Sequence, residues 1–289
     1  MKKILISILF LLVFVNNQIF SQTPADSLII VSASWRVNMV MDDIVHQEVS
    51  IPFLYGGPQH INVLKIKPSK DIKFGIALSD ILKKTSDLAH ENNAVAAING
   101  SFFNMNTGKS TCFLEIEGEL LDTTTVEWKP NITGAIYIRD GNISIFPWSQ
   151  DIEKEYQKKK GITLAAGPLL LWNGKECHWN MCVKTLTETK HPRSAVAITK
   201  DGAVLLITVD GRFPAKACGM KISELAHLIR VLGGKSALNL DGGGSSTLWL
   251  ATLPDNGVLN FPCDNGIFDH RGERKVANIL YVYMDRDIY

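Results

Sequence analysis

The chain has 289 residues, 46% of them hydrophobic, with 30 Lys and Arg against 29 Asp and Glu. That length supports a large core, as one big domain or two small ones. The near-neutral balance offers neither a basic patch for nucleic acid nor a charge excess for an anionic membrane.

The first residues read as a targeting segment. Lys2 and Lys3 precede an apolar run over 4–15, and small and polar residues lead to Ser21 and Gln22. This is the layout of a secretory signal peptide over 1–21, cleaved after Ser21. The run is shorter than the roughly 20 residues a membrane-spanning helix needs, so the mature chain is expected to be exported, periplasmic or extracellular, with no membrane span. The first cysteine is Cys112, which leaves no thiol for lipid attachment at the cleavage point. Five cysteines leave at least one thiol unpaired. The Cys177 and Cys182 spacing allows a short-loop bridge, but no pair has the C-x-x-C spacing of a zinc site. No metal or cofactor is expected.

Residues 22–70 read as a β-rich extension leading into a main domain over 71–289. Short strands are expected at 28–31, 35–41 and 61–66, the last after the Gly56-Gly57-Pro58 turn. Over 79–92 the pattern is helical, with Ile81, Thr85, Leu88 and Ala89 on one face. A wholly apolar strand over 94–98, of the kind buried on both faces, delivers Asn99-Gly100-Ser101-Phe102-Phe103. Hairpins are expected over 134–146 and 194–209, turning at Asp140-Gly141 and Asp201-Gly202, because Asp-Gly accepts the positive φ of a type I′ turn. The 150–161 stretch reads as a solvated surface segment. A second helix over 222–232 is stopped by Gly233-Gly234. A strand from Ala237 runs into Asp241, and a last strand covers 276–283. The helix–strand–turn units ending at Asn99 and at Asp241 echo one another, which would place these residues across one cleft. The fold class expected is α+β: a central, mostly β-sheet core with a few packed helices and an internal pseudo-repeat.

The run Asp241-Gly242-Gly243-Gly244-Ser245-Ser246 exceeds what a turn requires. Each glycine costs roughly 0.5–1 kcal/mol of backbone entropy relative to alanine. A chain keeps such a run where the backbone takes unusual dihedrals or lets another group come close. Successive N–H groups there can form a nest for an anion, with the hydroxyls as further donors, so the run reads as a site for a phosphorylated or oxygen-rich ligand. Other candidates sit at strand ends, where rigid sheets place functional groups: Asp210 and Arg212 after one strand, Arg193 before another, Asn99 after a third. Glu115 lies between apolar residues. Asp140 and Asp201 read as turn formers, His90 and His227 as structural, and Phe102-Phe103 as core or as an aromatic wall for a sugar.

Five ordered segments carry a resemblance: Ala97-Ile98-Asn99-Gly100-Ser101-Phe102-Phe103, Arg193-Ser194-Ala195-Val196-Ala197-Ile198, Val209-Asp210-Gly211-Arg212, Glu224-Leu225-Ala226 and Leu240-Asp241-Gly242-Gly243-Gly244-Ser245-Ser246. Together with the late Glu273-Arg274-Lys275-Val276-Ala277-Asn278, they resemble the phosphodiester glycosidase family over about 75–285. Residues 22–70 lie outside the resemblance, and Ser101 and Lys221 depart from the usual pattern. The resemblance implies hydrolysis of a sugar joined through its anomeric carbon to a phosphodiester, in a glycan or glycolipid, leaving a phosphomonoester. It implies that Arg193, Arg212 and the N–H groups of Gly242, Gly243, Gly244 and Ser245 hold the phosphate. Asp241 or Asp210 would face the sugar carbon as nucleophile, electrostatic partner or base. Asn99, with Gly100 and Ser101, would position a hydroxyl or water, and Glu115 is a lesser candidate acid. Two alternatives stay open: a glycan- or anion-binding protein without turnover, and a phosphodiesterase with Asp210 and Asp241 as metal ligands.

Overall fold

The computed structural model describes residues 23–157 and 160–285. The signal-peptide segment, 1–21, lies outside the described residues. The fold is α+β, built on three antiparallel sheets. The largest has eight strands, in spatial order Arg36–Met41, Ile44–Leu54, Gly57–Ile66, Val204–Val209, Arg193–Thr199, Gly234–Asn239, Leu169–Trp172 and Lys175–Glu176. A five-stranded sheet runs Glu119–Asp122, Leu114–Ile116, Ile162–Ala166, Gly134–Arg139, Asn142–Pro147. A four-stranded sheet runs Leu248–Leu250, Ala96–Asn99, Lys275–Met284, Ile72–Lys84.

The main core lies where the three sheets meet. Leu64, Val196, Leu206 and Leu238 of the first sheet pack with Leu114, Ile136 and Leu164 of the second and Ile98, Leu280 and Val282 of the third. Burial of each such side chain is worth about 1.5–3 kcal/mol. The opposite face of the large sheet is covered by the helix Ile222–Val231, whose Leu225, Leu228 and Ile229 meet Val63, Ala195 and Ile207. The described part of the N-terminal extension contributes three strands to this same sheet, within residues 36–66. Its strand Gly57–Ile66 pairs along the whole length of Val204–Val209, from Ile66 opposite Val204 to Ile61 opposite Val209.

Several local expectations are revised. Leu28 to Val31 is helical, within Pro24–Ser32, because Thr23 and Asp26 form a capping box and Pro24 opens the first turn. The strand Ile72–Lys84 extends through the first half of the expected 79–92 helix, which is confined to Thr85–Glu91. Pairing with Lys275–Met284 overrides the local periodicity there, and leaves Ile81 exposed. The Asp140-Gly141 hairpin has both turn residues at positive φ, 51° and 72°, as type I′ requires. At Asp201-Gly202 only the glycine is left-handed, with φ of 84°. That turn is four residues long, held by the bond from Gly202 N to Thr199 O (3.1 Å) and by the Thr199–Asp201 side-chain contact. All five cysteines are free thiols, so Cys177 and Cys182 are not bridged.

Candidate active site

Strand ends from two sheets converge on one hollow of about 290 Å³. Arg193 opens its strand opposite Val209, the residue before Asp210. The next strand, Gly234–Asn239, runs through Leu240 into Asp241 and the single 3₁₀ turn Gly243–Ser245. Arg193, Arg212, Arg274, His191, Asp241, Gly242 and Gly243 form the polar wall of the hollow. Phe102, Phe103, Met105, Trp128 and Leu186 complete it.

Asn99 joins the sheets behind this wall. Its Nδ2 donates to Asp241 O (2.6 Å), and its Oδ1 accepts from Ser194 Oγ (2.6 Å) and Thr247 N (3.1 Å). Asp241 N donates to Gly100 O at 2.9 Å. Asn99 is fully buried, so it fixes the Asp241 loop and does not itself present a donor for water. Gly100 and Ser101 are also packing positions. A Cβ on Gly100 would lie 1.9 Å from Asn278 Oδ1, and that oxygen accepts from Ser101 N at 2.9 Å.

The glycine run is not an open nest. Gly242 N donates to Asp241 Oδ1 (2.9 Å), Gly243 N to Pro192 O (2.9 Å), Ser245 N to Gly242 O (3.2 Å) and Ser246 N to Gly243 O (3.3 Å). The glycines are needed for close approach instead. A Cβ on Gly242 would lie 2.7 Å from Pro192 O, and one on Gly243, at φ +61°, would lie 2.9 Å from Arg212 Nη2. On Gly244 it would lie 2.3 Å from Asp264 Oδ1 and 2.6 Å from Arg274 Nη2. Two guanidinium groups therefore rest directly on the bare backbone beside Asp241. The Ser245 and Ser246 hydroxyls are buried without hydrogen-bond partners among the described residues and do not line the hollow.

Three arginines set the electrostatics. Arg193 is 1% exposed, and its Nε donates to Met220 O (2.7 Å) while Nη2 donates to Leu186 O (2.7 Å) and Thr189 O (2.9 Å). Burial lowers its pKa to about 9, against an opposing pull from Glu224, so it stays charged at neutral pH. It forms no ion pair among the described residues. A buried cation held only by carbonyls is costly, and the hollow is where a compensating anion fits. Arg274 donates from Nε (3.1 Å) and Nη2 (2.5 Å) to Asp264 Oδ1. Burial raises the Asp241 carboxyl to about 6. Opposing this are the nearby Ser245 hydroxyl (outside hydrogen-bond geometry), the Gly242 N–H, Arg274 and Arg212. His191 is pushed down by burial and by Arg193, and is neutral at pH 7.

Asp210 is not on the hollow. Its Oδ2 faces His60 Nδ1 (2.8 Å), and its Oδ1 accepts from Asn260 Nδ2 (3.0 Å) and Phe261 N (3.0 Å). Asn260 Nδ2 also donates to Ser246 O (2.9 Å), so Asp210 braces the glycine loop from behind. Burial works to lower the His60 pKa, but hydrogen bonds and charge from Asp210 and Glu48 outweigh it and raise the value. Both oxygens are engaged within the protein, and Asp210 does not line the hollow beside Asp241, where a shared metal would need it. Among the described residues no group of three or more His, Cys, Asp or Glu is arranged to hold one. Glu115 is buried on the strand Leu114–Ile116 of the five-stranded sheet, opposite Thr163, and does not line the hollow. Trp128, His191 and Arg274 line the hollow without being candidates on sequence grounds. Arg274 had a signal in the Glu273-to-Asn278 segment, whereas isolated Trp128 and His191 had none.

Known proteins share this fold and family. Residues 92–283 match the model of the phosphodiester glycosidase family. The SPbeta prophage-derived uncharacterized protein YomE of Bacillus subtilis (strain 168) is 27% identical over 161 residues. That match covers 55% of this chain but only 24% of YomE, so the chain spans about a quarter of that protein. The catalytic domain of zebrafish N-acetylglucosamine-1-phosphodiester alpha-N-acetylglucosaminidase, auto-inhibited by its pro-peptide, superposes with a TM-score of 0.64. It is 17% identical, over 86% of this chain and 87% of that one. A hypothetical protein from Synechocystis has a TM-score of 0.61 at 16% identity, over 87% of this chain and 64% of its own. These two likenesses establish the shared fold.

Proposed function

Because the chain belongs to the phosphodiester glycosidase family, we propose that it hydrolyses a sugar-1-phosphodiester at the anomeric C–O bond. The products are the free sugar and a phosphomonoester. The observation that carries this reading is the buried guanidinium of Arg193, without an ion-pair partner among the described residues, lining the same hollow as Asp241.

The chemistry follows from that pairing. A phosphate ester leaves as a weak base, so it needs little protonation. Its growing negative charge needs fixed donors, which Arg193, Arg212 and Arg274 supply without reorganisation. Positive charge grows at the anomeric carbon and is matched by Asp241, ionised above about pH 6. Asp241 acts there as nucleophile or as base for water, held in place by Asn99 and Gly100. Phe102, Phe103 and Trp128 supply the apolar side against which a sugar ring packs.

Export is part of the same proposal, on the strength of Lys2, Lys3 and the apolar run over 4–15. A glycan or glycolipid diester outside the cytoplasm is then the substrate class. The test is incubation of purified protein with the methyl diester of N-acetylglucosamine 1-phosphate, followed by ³¹P NMR. Methyl phosphate and free sugar in equal amounts support the reading. No turnover of this diester or of its glucose and galactose counterparts would refute it.

A further inference from the structure

A second cleft of about 590 Å³ adjoins the hollow, and Phe103, Met105 and Trp128 border both spaces. We propose that this cleft, walled by the 104–109 loop and the 122–128 segment, is a saccharide subsite that holds a neutral sugar unit of the substrate. The inference rests on the phosphodiester glycosidase reading of the adjoining hollow and names the kind of substrate that hollow serves.

Both walls are built before any ligand arrives. In one, Asn104 N donates to Lys109 O (2.9 Å) and Gly108 N to Asn104 O (2.8 Å). Asn104 Oδ1 in turn accepts from Asn106 N (2.8 Å) and Thr107 N (3.1 Å). In the other, Thr124 N and Oγ1 donate to the two carboxylate oxygens of Glu153, at 2.9 and 2.5 Å. Trp128 stacks on Phe102 with ring centroids 4.2 Å apart. Rigid walls lower the ordering cost of binding.

The lining suits a polyol and disfavours phosphate. Its charged groups are Asp122, Glu127 and Lys109, two carboxylates against one cation, whereas the hollow concentrates arginines. The phosphodiester is therefore kept at the arginine end, and an uncharged unit occupies the carboxylate end. Asp122 is half-buried without an ion pair among the described residues; burial raises its carboxyl, against the opposing pull of the Ser110 N–H and of the Lys109 charge. It is placed to accept from sugar hydroxyls. The hollow alone is at the small end of ligand-site volumes, about 300–1,000 Å³. A sugar phosphate fills it, and a longer substrate extends past Trp128.

Three diesters of N-acetylglucosamine 1-phosphate test this: the methyl diester, a hexose diester, and the methyl diester lengthened by a hexose on the N-acetylglucosamine. One lengthened diester is expected to exceed the methyl diester in kcat/KM by about tenfold or more, the worth of one or two hydrogen bonds to a carboxylate. Asp122→Ala, and Thr123→Trp at an exposed position of the cleft rim, are each expected to lower that ratio about tenfold. Ratios near one for both lengthened diesters, or ratios that neither variant changes, would overturn the proposal. If no diester is hydrolysed, the hydrolase reading fails by itself. The cleft is then judged by saturation-transfer NMR with maltotriose and triacetylchitotriose. Transfer that Thr123→Trp removes supports the subsite. Absent transfer, or transfer the variant leaves unchanged, overturns it.

Discussion

Asp241→Asn separates the chemical role of this residue from its structural cost. The carboxyl rises from 3.8 to about 6 on folding, chiefly because it is buried. A folded-state pKa above the unfolded value means that the native protein holds more protons between those limits. Stability therefore falls as pH rises through that window. At roughly 1.4 kcal/mol per pH unit, the ionised carboxylate costs the fold up to about 3 kcal/mol at pH 7. The same linkage costs only about 1 kcal/mol at pH 4.5. Asparagine keeps the shape and can still accept from Gly242 N, but carries no charge. The variant should thus be more stable than the parent at pH 7, with an advantage about 2 kcal/mol smaller at pH 4.5. Urea unfolding at the two pH values measures this. Turnover of the methyl diester should fall by about 10²–10⁴-fold, and the parent should show an acid limb in kcat/KM near pH 6. A variant destabilised equally at both pH values, with near-normal turnover, would show that Asp241 is a neutral structural group.

Three further outcomes are expected. Arg193→Lys keeps the charge but cannot bridge the carbonyls of Met220, Leu186 and Thr189 while facing the hollow. KM for the diester should rise about tenfold or more, and unchanged kinetic constants would remove Arg193 from phosphate binding. Gly244→Ala places a Cβ where Asp264 Oδ1 and Arg274 Nη2 lie, so it should raise KM by displacing Arg274 and cost about 1–3 kcal/mol of stability. Equal KM in that variant would show that Arg274 does not touch substrate. Removal of residues 1–70 strips three strands from the large sheet and bares the edge Val204–Val209. The remainder should lose cooperative thermal unfolding, and a sharply melting 71–289 fragment would show that the extension is dispensable.

The sequence identifies loops that meet at the hollow, but not what each residue in them contacts. Asn99, Arg193, Arg212 and Asp241 do meet at one place, because each is tied to the end of a buried apolar strand. Strand ends are legible from hydrophobic runs and the turn residues after them. The glycine run looks locally like a cradle for an anion, yet its N–H groups mostly bond within the protein. Its bareness serves Pro192, Arg212 and Arg274, and such approaches from distant segments leave no local signature. Asp210 shows the same gap: only the fold reveals that His60 and Asn260 occupy both its oxygens. At the N-terminus the missed information was local. Thr23-Pro24-Ala25-Asp26 is a capping box with proline in the first turn, and it outweighs the β-branched run that follows.

The central claim is that the hollow breaks the bond between sugar carbon and oxygen, with the phosphate as leaving group. Hydrolysis of the methyl diester in ¹⁸O-labelled water, with both products weighed by mass spectrometry, tests it most directly. The account predicts one labelled oxygen in the released N-acetylglucosamine and none in methyl phosphate. Label in the phosphorus-containing product would mean attack at phosphorus, and would contradict it.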